Sequence, residues 1–86
     1  MNLNNNIPEV DVFMLLQSDD YKQKLLGEYY EIRNRIYNLG KFISKLKKGK
    51  IEDIKTPISL LEKQLKILRD YEKILSDRCD IDEIQL

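Results

Sequence analysis

Residues 21–46, YKQKLLGEYYEIRNRIYNLGKFISKL, place apolar side chains at Leu25, Tyr29, Ile32, Ile36, Leu39, Ile43 and Leu46. The spacings alternate between four and three. That is the period of a helix whose seam stays against a partner helix for several turns. A second row runs beside it through Leu26, Tyr30, Arg33, Tyr37 and Gly40. It carries rings and a cation where plain packing would use aliphatic carbon, so the first row speaks for the fold and the second is the candidate for function.

Working outward, Ser18, Asp19 and Asp20 are good capping residues for this helix, which is expected from Asp20 to about Lys48. Lys45, Lys47 and Lys48 suit the negative end of the helix dipole, and Gly49 is a plausible stop. Gly27 and Gly40 lie inside the helix, where each costs about 1 kcal/mol relative to Ala. A close backbone approach or a bend would explain them. Beyond a polar connection, Thr56 reads as an N-cap and Pro57 as the first residue of a last helix running to about Asp80. Its apolar pairs recur every seven residues, at Leu60–Leu61, Ile67–Leu68 and Ile74–Leu75, a face wider than a two-helix seam needs. The tail from Asp80 to Leu86 is acidic and expected to fray.

Upstream, Met1 to Ile7 contains three consecutive asparagines and no period, so it is expected to be flexible. Pro8 can open a helix of about ten residues, too short to stand alone. It is apolar nearly all round and must dock in cis or on a neighbouring subunit. The expected fold class is therefore all-α: residues 1–17 as a flexible N-terminus with a short docking helix, and residues 18–86 as an antiparallel helical hairpin. Such a hairpin leaves apolar surface uncovered. Assembly as a helical homo-oligomer would bury it.

With 86 residues the chain makes one small domain at most; chains of this size bury only about 60% of their unfolded surface. Fifteen basic residues balance fifteen acidic ones, so there is no net field to recruit DNA or an anionic membrane. The absence of His removes the commonest general base and metal ligand. A single cysteine, Cys79, excludes an intramolecular disulfide and a thiolate cluster. No apolar run reaches membrane-spanning length, and the first ten residues lack the pattern of a signal peptide. No nucleophile–base pair, calcium loop or phosphate-cradling glycine loop is visible. The expectation is a non-enzymatic protein with no catalytic, metal or cofactor site.

Two constellations remain. Tyr29, Tyr30 and Tyr37 share one flank with Arg33, and Lys41 lies one turn beyond. Tyrosine rings can stack on bases and an arginine can fork onto phosphate oxygens; equally, tyrosines at core margins bury their rings and keep the hydroxyl wet. Six lysines between Lys41 and Lys55 could grip phosphate, or simply complement a helix end.

Two strings carry a family resemblance: Glu28-Tyr29, Ile32, Arg35-Ile36, Leu39 and Phe42-Ile43, then Leu60-Leu61, Gln64-Leu65, Leu68, Tyr71, Ile74-Leu75 and Arg78. Over Asp19 to Arg78 the chain resembles the small helical-hairpin proteins of bacteriophages that include the anti-CBASS cyclic-oligonucleotide sponges. The resemblance implies a homo-oligomer, by analogy a hexamer. It would bind cyclic di- or trinucleotides between subunits, without chemistry, in the cytoplasm of an infected bacterial host. It also implies a stacking tyrosine on the first long helix and a ligand-contacting lysine about fifteen residues later. Tyr29 matches the motif tyrosine, but fifteen residues on lies Ser44, next to Lys45; Tyr30 with Lys45 restores the spacing. The ligand-binding candidates are thus Tyr29, Tyr30, Arg33, Tyr37 and Lys45. The alternative is a helical interaction module, an adaptor or inhibitor binding a host or phage protein through its apolar face.

Overall fold

The computed structural model describes residues 11–86. The expectations for Met1 to Ile7, and for Pro8 as a first helical turn, fall outside them. Three helices and no strands occupy the described residues: α1 (Val12–Gln17), α2 (Tyr21–Lys47) and α3 (Ile58–Ile81). The bounds of α2 and α3 lie within a residue of those expected from periodicity. Cross-hairpin pairs descend along α3 as they climb α2: Tyr21 with Asp82 at the end of α3, Arg33 with Glu72, and Lys47 with Glu62. The two helices therefore run antiparallel.

The seam follows the alternating row. Leu25, Tyr29, Tyr30 and Ile32 of α2 close on Leu75 and Cys79 of α3, and these last two have no exposed surface. Leu26, Ile36 and Leu68 pack around this cluster, while Ile43 and Leu61 are buried nearer the elbow. Burial pushes the Cys79 thiol up, against the opposing pull of Arg78, and leaves it a protonated, inert core group.

Three local expectations are corrected. First, among the described residues the short helix is the six-residue Val12–Gln17. Asp11 is extended and its carboxylate accepts a hydrogen bond from the Met14 amide at 3.1 Å, so the helix begins at Val12. Second, Thr56 is not the N-cap of α3. Pro57 holds that position with ψ 143° and no side-chain cap, and its carbonyl accepts from the Leu60 and Leu61 amides. Third, the tail does not simply fray. Glu83 adopts φ 59°, the Ile84 amide reaches the Cys79 carbonyl at 2.7 Å, and the Ile84 side chain packs on the core. The same two-bond motif ends α2: Gly49, at φ 71°, donates to Leu46 and Lys50 donates to Lys45. Only the elbow end uses glycine for the left-handed residue.

α1 folds back on its own chain over Gly27. A Cβ at Gly27 would lie 2.8 Å from the Leu15 Cβ and 3.1 Å from the Leu16 amide nitrogen. The glycine is there because a helix backbone crosses it. Val12 and Leu15 reach the core, and Phe13 and Met14 point to solvent. Gly40 differs: nothing within the chain comes within 4 Å of the corresponding point.

Gly27→Ala is therefore expected to push α1 off, costing about 1–3 kcal/mol for overpacking. Gly40→Ala should instead gain up to about 1 kcal/mol in the protomer from helix propensity. Glu83→Gly should gain about 1 kcal/mol by removing left-handed strain. In a domain this small, each 1 kcal/mol moves Tm by about 4–8 °C, so thermal unfolding of the three variants checks the assignment.

Candidate functional site

α2 carries the candidate flank. At about 100° per residue, Tyr30, Arg33, Tyr37 and Lys41 stay within one strip of its surface. Tyr29 and Tyr30 meet edge to face, with centroids 5.2 Å apart and planes at 67°. Both are buried, at 7% and 4% exposure, so in the protomer their rings are core. Burial, reinforced by the neighbouring Tyr29, raises the Tyr30 hydroxyl above the ordinary tyrosine range, although Arg33 pulls the other way.

Arg33 is half-buried and committed within the chain. Its guanidinium lies 5.6 Å from the Tyr29 ring centroid, Nη1 donates to the Tyr29 hydroxyl at 3.4 Å, and Nε faces Glu72 at 3.4 Å across the hairpin. An anion arriving here would compete with Glu72 for a charge that Tyr29 already orients. Further along, the Lys41 ammonium sits 5.0 Å from the centroid of the half-buried Tyr37 ring. Gly40, beside them, presents no side chain. Tyr37 and Lys41 thus form an aromatic–cation pair beside Gly40, where the missing side chain leaves open space.

Lys45 is exposed. It is about 18 Å along the axis from Arg33 and turned about 80° from Tyr37. The fold brings Tyr29, Tyr30 and Arg33 together and sets Tyr37 with Lys41. Lys45 lies one turn beyond Lys41, about 6 Å along the axis and about 40° round, and away from Tyr29, Tyr30 and Arg33.

Spacing along α2 could not reveal what α3 contributes. Glu72, the partner of Arg33, comes from the far arm of the hairpin. So does Gln64, which joins Arg35, Asn38, Leu39, Phe42 and Leu68 in a shallow groove of about 320 Å³. A clasp closes the open end of the hairpin: the Tyr21 hydroxyl donates to Asp82 at 2.9 Å and accepts from Arg78 at 3.0 Å. That hydrogen bond holds the Arg78 guanidinium firmly protonated. Among the described residues no three acidic or thiol side chains gather as a metal site would require, and no helix is long and apolar enough to cross a membrane.

These parts define a small all-helical protein, a two-helix hairpin braced by a short third helix, with rings and cations along one flank of α2. The chain belongs to the Sequestin family, whose model matches residues 19–81. That span overlaps the one carrying the resemblance to the anti-CBASS sponges, and the two fit together. Neither a curated protein nor a solved structure matches the chain.

The raised Tyr30 and Cys79 groups fix the sign of an alkaline effect. Each keeps its proton in the folded state at a pH where the unfolded chain has lost it, so the folded state binds more protons and stability falls as pH rises. The contribution is fully present below the ordinary thiol and phenol values and fades above them. Melting curves between pH 8 and 11 should show Tm falling, with Tyr30→Phe flattening the upper part of the drop.

Proposed function

We propose that this protein sequesters a signal molecule, and that the signal is a cyclic di- or trinucleotide of a bacterial immune system, held intact and not degraded. A phage would use it as an anti-defence sponge in the cytoplasm of its host. The carrying observation is the family match over residues 19–81: the name Sequestin itself implies sequestering. The ligand class comes from the sponge resemblance of the same residues. Binding without chemistry suits a flank made of rings and cations.

In this proposal the ligand site is the α2 flank, completed by a second copy. Tyr37 offers the stacking platform, and Lys41 exchanges its place over that ring for a base or phosphate. Arg33, oriented by the Tyr29 hydroxyl and backed by the buried Tyr30, neutralises phosphate charge. Lys45 is too far from Arg33 to serve the same small ligand from the same chain, so it acts from a neighbouring subunit. One helix flank cannot enclose a nucleotide, and a homo-oligomer, a hexamer by analogy, supplies the missing wall.

Calorimetry against a panel of cyclic di- and trinucleotides tests this. Binding at micromolar concentration or tighter is expected for at least one, with ligand recovered unchanged by chromatography after denaturation. Tyr37→Ala should weaken binding by roughly 5–150-fold, the range of about 1–3 kcal/mol per stacked base. A panel silent at tens of micromolar contradicts the sponge, because a bound ligand must also raise Tm.

One observation favours a second function, a helical interaction module for a host or phage protein. Leu60, Ile67, Ile74 and Ile81 are all more than half exposed on α3. An adaptor of that kind would be a monomer or dimer with this surface open, whereas the sponge is a closed oligomer. Light scattering separates them.

A further inference from the structure

The exposed residues of α3 are not scattered. Leu60, Ile67, Ile74 and Ile81 are 55%, 59%, 57% and 78% exposed and recur every seventh residue. They form one continuous apolar ridge along the whole helix. At Leu60 and Ile67 the ridge borders a second shallow groove, of about 380 Å³, that Lys63, Gln64 and Leu68 complete. Nothing in the hairpin needs this ridge, since the intramolecular seam uses Leu61, Leu68, Leu75 and Cys79.

We infer that the ridge seats the same ridge of a second copy, running antiparallel about a twofold axis between residues 70 and 71. That register sets Ile67 against the partner's Ile74 and Leu60 against the partner's Ile81. Charge selects the direction. The side of the ridge away from the hairpin carries Lys63, Asp70 and Asp77 in order, and antiparallel helices bring like-named flanks together. Lys63 then comes level with the partner's Asp77 to within about 1.5 Å along the axis. There it extends the pair that Lys73 already makes with Asp77 at 2.9 Å. At the axis, Asp70 is already neutralised by Lys66 at 3.0 Å. A parallel pairing would instead set this flank against the partner's Gln64, Tyr71 and Arg78, where Lys63 meets no carboxylate and Arg78 is already held by Tyr21.

This rests on the self-association contained in the proposed function and adds a geometric consequence. Ile74 follows Glu72 by two residues, about 200° round α3, so the ridge faces nearly away from the Arg33–Glu72 flank. A dimer joined by the ridge turns both ligand flanks outward. Enclosing a ligand then takes a second, different interface, and an assembly with two interfaces has more than two subunits.

Two measurements test the ridge on the full chain. Ile67→Asp should lower the light-scattering mass and weaken association at least tenfold, while circular dichroism keeps the helical signal, because Ile67 is not part of the intramolecular core; Tm should fall only to that of the dissociated chain. Under oxidation, Asp70→Cys should form a disulfide-linked dimer, its copies lying about 1.5 Å apart along the axis; Lys63→Cys should not, since its copies are about 22 Å apart. The buried native Cys79 does not compete. A wild-type chain that is monomeric, an Ile67→Asp variant of wild-type mass, or cross-linking through Lys63→Cys in place of Asp70→Cys overturns the inference. Nucleotide titration of the wild type is read separately: binding by an assembly that ignores Ile67→Asp removes the ridge and leaves sequestration standing.

Discussion

Everything in this fold depends on the closure of α2 and α3 around Leu75 and Cys79, the two side chains with no exposed surface. They sit against Leu25, Tyr29, Tyr30 and Ile32, and the remaining apolar groups arrange themselves around that contact. A chain of this length has little core to spend. The two tyrosines therefore serve as packing first, and what they offer a ligand is secondary to it. Their burial fixes the rotation of α2 about its axis, and that rotation sends Arg33 and Tyr37 to one side and Arg35, Asn38 and Phe42 to the other.

The same closure determines what α1 can do. Six helical residues are far too few to be stable alone, and α1 persists because Gly27 lets its backbone lie directly on α2. α1 covers one part of α2 and leaves α3 untouched. The result is a protomer with two unfinished sides: a flank of rings and cations on α2 and an apolar ridge on α3. A monomer would gain nothing from keeping four large aliphatic residues in water. An assembly would use the ridge for cohesion and the flank for its ligand.

Much of the fold was legible in the sequence because its main signals are periodic. Alternating spacings of four and three gave α2, the seven-residue pairs gave α3, and Asp20 and Gly49 marked the ends of α2. The misjudged positions are those where one backbone torsion decides the outcome. Thr56 and Pro57 both read as start signals, and composition cannot say which of them adopts the extended conformation. Glu83 in a left-handed turn is invisible to any residue preference, so the return of Ile84 to the core was missed. For the candidate site, spacing grouped rings and cations on α2 but could not tell which of the rings are packed away. Spacing puts Tyr29 on the seam row, but Tyr30 and Tyr37 share the second row and look equivalent there. Only the packing of α1 and α3 separates two core rings from the one beside an open glycine. Glu72 was unreachable for the same reason, since its relation to Arg33 exists only once the hairpin closes.

Native mass spectrometry of the full chain with a cyclic dinucleotide tests the central claim most directly, because it counts subunits and ligands in the same particle. A closed assembly of more than two copies, carrying a whole number of ligands of unaltered mass, is the predicted spectrum. A single chain that retains no nucleotide would contradict it.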